Sequence, residues 1–186
     1  MNATVYIQIA KTAIQGYFDG VKIDSDPYLS VYPELSEKKA CFVTLTLHKQ
    51  LRGCIGSIIA HQSLIDDLIS NAVSAAFHDP RFPPLSKEEF SEVSVEVSIL
   101  THPKEVAYRD KDALLQIIRP TIDGVILRLG NHQATFLPQV WEELTDFDSF
   151  FAHLGLKAGI GDDPLSYHPE IYTYQVQKYE ESSHEH

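Results

Sequence analysis

An α+β fold on an antiparallel sheet is what the pattern of this chain predicts. Two pairs of short apolar, β-branched runs are each joined by a turn, helical stretches do not alternate regularly with them, and no internal repeat or heptad is present. With 186 residues, 44% apolar and 22% charged, the chain suits one soluble domain of two lobes, a larger one and a small helical one. That domain is expected over residues 1–180, with 181–186 a frayed tail.

Composition excludes several classes. The 15 Lys and Arg against 26 Asp and Glu give a net charge of −11, which opposes a broad nucleic-acid or anionic-lipid footprint. No stretch approaches the ~20 apolar residues of a membrane span. Met1-Asn2-Ala3-Thr4 lacks the start of a signal peptide, so a cytoplasmic location is expected. The two cysteines, Cys41 and Cys54, are expected as free thiols. In a hairpin about His48–Gly53, Cys41 would face Ile59 and Cys54 would face Thr46, placing the thiols more than ~10 Å apart.

The elements follow in order. Val5, Ile9, Ala13, Ile14 and Phe18 keep helical spacing, and Gly20 stops that helix. Residues 21–39 hold Pro27 and Pro33 and read as a loop. Cys41 to Leu47 reads as a buried strand. Ser63 caps a helix to Phe77, and Asp79-Pro80-Arg81-Phe82-Pro83-Pro84 forces an extended path after it. Ser86 to Glu89 resembles a capping box, and Val93 to Ile99 alternates as a strand. A helix over 110–118 precedes a hairpin turning at Gly130-Asn131-His132. Short helices start at Pro138 and Asp148, the second closed by Gly159, and Ile171 to Val176 is a last strand.

One octapeptide does not fit a purely structural reading: Gln50-Leu51-Arg52-Gly53-Cys54-Ile55-Gly56-Ser57. Arg52 offers a fork suited to an anion, Gly53 and Gly56 allow close backbone approach, and Cys54 lies where its thiolate could be favoured. Cys54 is therefore a nucleophile candidate, with His48, His61, His78 or His132 as its base; the alternative is a small packed strand residue. Asp79 and Arg81 flank Pro80 and are candidates to orient Arg52 or accept a proton. Lys157 either complements a helix end or partners an anion. No His-x-x-x-His or Cys-x-x-Cys spacing suggests a metal, and no cofactor is expected.

Leu51 to Gly56, preceded by Phe42-Val43-Thr44-Leu45, resembles the signature of the AMMECR-type domain family. Asp79-Pro80-Arg81-Phe82-Pro83-Pro84-Leu85, Thr135-Phe136-Leu137-Pro138-Gln139-Val140-Trp141 and Lys157-Ala158-Gly159 match in the same order. The resemblance implies a larger and a smaller subdomain with a cleft between them, and places Cys54, Asp79 and Arg81 on shared positions. It also implies a setting, the A component of the AmmeMemoRadiSam system, with Memo-like and radical-SAM proteins as partners. Three functions follow as expectations. One is a cysteine-dependent enzyme or half-site using Cys54, Arg52 and Asp79, with Gly53, Gly56, Arg81 and Lys157 around the ligand. The second is a non-catalytic binding module for a small anion or a partner's tail, and the third, which the charge of −11 disfavours, is a nucleic-acid-associated factor.

Overall fold

The computed structural model describes residues 3–181 and divides into two compact units, 1–100 with 177–186 and 101–176. The expected α+β class is what it shows.

In the first unit, α1 (Ala3–Asp19) and α3 (Leu64–Phe77) pack on a four-stranded sheet of order β2-β1-β3-β8. These strands are β1 (Cys41–Leu47), β2 (Gln50–Gly56), β3 (Ser94–Leu100) and β8 (Val176–Glu180). The core is made by Ile9, Ile14, Leu45, Leu68 and Val97, all removed from water at about 1.5–3 kcal/mol per large apolar side chain. Ser63 caps α3 by accepting from the Asp66 amide, as its sequence predicts.

Residues 21–39 are not an irregular loop. They hold α2 (Asp26–Val31) and a 3-10 turn over Pro33–Ser36, each with a proline in its first positions. A proline there starts a helix, because its missing N–H would have no partner anyway. The β1–β2 turn is also tighter than expected: Leu47 pairs with Gln50, so the turn is His48-Lys49. Both take φ > 0, at 52° and 67°, as a two-residue hairpin asks of both positions. With this turn and a one-residue register shift between Leu45 and Thr46, Cys54 faces Thr44, not Thr46, and both cysteines are free thiols.

The second unit is itself α+β, so the lobe expected to be helical carries its own sheet, of order β4-β7-β5-β6. Its strands are β4 (Lys104–Glu105), β5 (Gly124–Leu129), β6 (His132–Phe136) and β7 (Glu170–Tyr174). α6 (Phe147–Ala158) covers β5 and β6, starting at the cap Asp146, two residues earlier than expected, and ending at left-handed Gly159. α5 (Lys111–Ile117) is capped by Asp110. Trp141 is core, stacked on Phe150 and donating to the Asp123 carbonyl at 3.0 Å. The single last strand expected at 171–176 is two, β7 and β8. They part at Gln175, whose amide donates to Thr101 Oγ1 at 2.8 Å. Glu181, assigned to the tail, is described and donates its amide to the Val95 carbonyl, whereas 182–186 lie outside the described residues. No described helix is long and apolar enough to cross a membrane.

Candidate functional site

The signature strand β2 lies at an edge of its sheet, and its residues divide between the two faces. Gly53 faces the helices, because its partner Leu45 is buried there. Cys54 and Gly56 lie on the opposite face with their partners Thr44 and Phe42. The register steps from Leu45 with Gly53 to Thr46 with Leu51, so Arg52 is an extra, unpaired residue. Such a bulge re-aims the side chain it carries.

Arg52 is thereby turned inward, buried itself and paired with the partly exposed Glu89. Its Nε donates to Glu89 Oε2 at 2.8 Å and its Nη2 to Glu89 Oε1 at 3.1 Å and to the Pro83 carbonyl at 2.8 Å. The Nε–Nη2 edge of the fork expected to hold an anionic ligand is occupied by this carboxylate, and Nη1 is buried without a hydrogen-bond partner. Sequence reasoning found Glu89 only as half of the capping box on α4 (Lys87–Phe90), which the structure also contains. One carboxylate thus caps a helix and neutralises the signature arginine. Arg52 draws the Glu89 carboxyl down to about 2. A carboxyl lowered on folding stabilises the fold above its unfolded value of about 4.3, and that stability is lost as pH falls through about 2. Urea midpoints of Glu89→Gln should therefore vary less across this acid window than those of the unsubstituted chain; equal variation would contradict the pairing.

Asp79 and Arg81 clamp the backbone of Cys54. Asp79 is buried, and its Oδ2 accepts the Cys54 amide at 3.0 Å while Arg81 Nη2 donates to the Cys54 carbonyl at 3.3 Å. Arg81 closes on Asp79 through Nε at 3.0 Å and Nη2 at 2.8 Å. Those hydrogen bonds from Arg81 hold the Asp79 carboxyl well below the usual carboxylate range, so it stays ionised. The pair gives Cys54 the acceptor and donor that a neighbouring strand would offer. The Phe82 ring has Arg52 at 5.8 Å and Arg81 at 5.4 Å from its centroid.

The Cys54 thiol is half-buried, with Thr44 Oγ1 at 3.2 Å. Burial pushes its pKa up, Glu96 and Asp79 push the same way, and Thr44 and Arg81 offset part of this. The thiolate expected from a nearby arginine is thus disfavoured, chiefly by burial, and the arginine that offsets part of this is Arg81 and not Arg52. Among the described residues no histidine bonds to this thiol. His48 is in the turn, 3.5 Å from Glu92, His78 lies edge-on to Tyr17, and His61 contacts Ser57 and Asp67. His132 belongs to the second unit and bonds the Ala158 carbonyl. Lys157, also in that unit, donates to the Thr135 carbonyl on edge strand β6 at 2.9 Å and lies over the Phe136 ring.

These features define an α+β chain whose signature residues seal the open edge of a sheet beside a half-buried cysteine. The chain belongs to the AMMECR1 family, whose model matches residues 7–179. It is 39% identical over 182 residues to protein MJ0810 of Methanocaldococcus jannaschii, covering 96% of this chain and 89% of that protein. It is 40% identical over 163 residues to protein LS215_2104 of Saccharolobus islandicus, covering 84% of this chain and 71% of that one. The crystal structure of the uncharacterized protein PH0010 from Pyrococcus horikoshii superposes with a TM-score of 0.83 at 33% identity. That match covers 96% of this chain and 90% of PH0010.

Proposed function

We propose that this chain is a binding module that works without an activated thiol. The observation that carries this reading is the internal commitment of the signature charges, Arg52 to Glu89 and Asp79 to Arg81. Capture of a small anion would require Arg52 to leave Glu89. What remains on the face of Cys54 is a half-buried polar row, Cys54–Thr44–Glu96, which suits contact with another protein. The Memo-like and radical-SAM proteins implied by the family are the partners to try first.

The test is the iodoacetamide alkylation of Cys54 against pH, with Cys41 as internal control. Cys41 is fully buried and its thiol is pushed well above the ordinary range, first by burial and then by Asp67, so it sets the slow limit. Cys54 should label without an acid-shifted midpoint, and Cys54→Ser should still co-purify with those partners. Rapid labelling at neutral pH, together with a loss of function in Cys54→Ser, would return the chain to the cysteine-dependent enzymes.

A further inference from the structure

The end of α1 is closed by a pair of helix-terminating hydrogen bonds. Gly20 takes φ 69° and donates its amide to the Tyr17 carbonyl at 3.3 Å, while the Val21 amide donates to the Gly16 carbonyl at 2.8 Å. In such an ending the residue after the left-handed one often packs an apolar side chain on the residue whose carbonyl it bonds. Here that residue is Gly16, which has no side chain, and a Cβ there would lie 2.5 Å from the Val21 carbonyl oxygen. Val21 is therefore left 63% exposed.

Val21 instead forms a wall of a cavity of about 280 Å³ in the helical layer of the first unit. α1 contributes Tyr17, whose ring is held by stacking on Phe77 at 4.2 Å, and α3 contributes Ile69 and Val73. The polar lining is Lys22, Ser25 and Asp66. Among the described residues none of these three side chains has a hydrogen-bond or ion-pair partner. Ser25 stands at the N-cap of α2 without a capping bond, and Lys22 and Asp66 do not pair with each other.

An apolar concavity with a few polar groups is the ordinary form of a small-ligand site, and its volume lies just under the range of about 300–1,000 Å³ that such sites span. That volume suits a body of amino-acid size. One ammonium and one carboxylate, each without a counter-charge, call for both opposite charges on the same ligand. A ligand carrying only an anionic group would meet Asp66 as well as Lys22, and one carrying only a cationic group would meet Lys22 as well as Asp66. Water can serve each charge singly, but it leaves the apolar walls of the same cavity wet.

We propose that this cavity binds a small zwitterion with an apolar body, an aromatic or branched-chain α-amino acid in its free state. Lys22 takes the carboxylate with Ser25 Oγ as a second donor, Asp66 takes the ammonium, and the apolar side chain enters against Tyr17, Ile69 and Val73. The site is separate from the Cys54 row, because α1 and α3 cover the other face of the sheet.

The test is an NMR titration of the full chain with L-phenylalanine, L-tryptophan and L-leucine in turn. At least one should give saturable amide shifts centred on residues 13–25 and 66–73. The matching acid without its ammonium, and the matching amide without its carboxylate, should each bind at least about tenfold more weakly, the scale of a lost charge-assisted hydrogen bond. Asp66→Asn should remove the discrimination against the first and Lys22→Gln that against the second. Both side chains are exposed, so both variants should keep the parent's amide spectrum. No saturable shift, shifts centred elsewhere, analogues that bind as well as the amino acid, or discrimination that survives both variants would overturn the proposal.

Discussion

Gly53→Ala should destabilise the first unit by about 3 kcal/mol, at the upper end of overpacking costs. A Cβ at this position would lie 2.1 Å from the Ala75 carbonyl oxygen and 3.0 Å from its carbon. Both are backbone atoms inside α3, so no side chain can turn away and the helix must lift off the strand. Gly56 is the internal comparison. Its added Cβ would lie 2.2 Å from Cγ of the half-buried Phe42 side chain, which can swing about its Cα–Cβ bond where backbone cannot, so Gly56→Ala should cost less. Urea unfolding of the two variants decides the matter. A Gly53→Ala protein as stable as its parent would mean that α3 and β2 pack less closely than described.

Asp79→Ala should cost about 2–3 kcal/mol, the range of hydrogen bonds to a charged group. The change leaves the Cys54 and Arg81 amides and the Arg81 guanidinium without their acceptor. The cost stays below that of breaking a fully buried pair, because the Arg81 side chain is 55% exposed and can rehydrate. Amide exchange gives the more specific reading. The Cys54 amide should exchange faster in the variant, while amides in the middle of β1 stay protected. Unchanged exchange at Cys54 would show that the clamp is not what holds that edge.

The local features of this chain were legible in its sequence. The Ser63 cap, the Ser86–Glu89 capping box and the α1 stripe each depend on residues within a turn or two of one another. The signature was legible as special, but its geometry was not. An extra residue at Arg52 leaves no mark on strand periodicity, and its partner Glu89 lies 37 positions away. The turn at His48-Lys49 was hidden because neither left-handed residue is glycine or asparagine. The tighter turn moves the partner of Cys54 from Thr46 by three residues and the extra residue Arg52 moves it back by one, to Thr44. Lys157 does lie in the last turn of α6, as the helix-end reading has it, and it also covers a carbonyl on an edge strand, a contact set by how α6 lies along β6. The signature cations Arg81 and Lys157 therefore share a task that composition does not reveal, closing backbone groups on sheet edges.

The route of the chain has a thermodynamic consequence. β3 and β8 are neighbours in the first sheet, yet all of residues 101–175 lie between them in sequence. The ends of that insert are tied together, since the Thr101 amide donates to the Gln175 carbonyl at 2.9 Å. The first unit therefore acts as host and the second as a guest whose ends arrive already joined. Were the guest to melt, the host would keep its strands and would bear only the entropy of a longer closing loop, about 3 kcal/mol relative to a tight turn. Melting of the host would instead release both ends of the guest at once. Heat can thus dismantle the guest while the host keeps all four of its strands, wherever the guest is the less stable of the two.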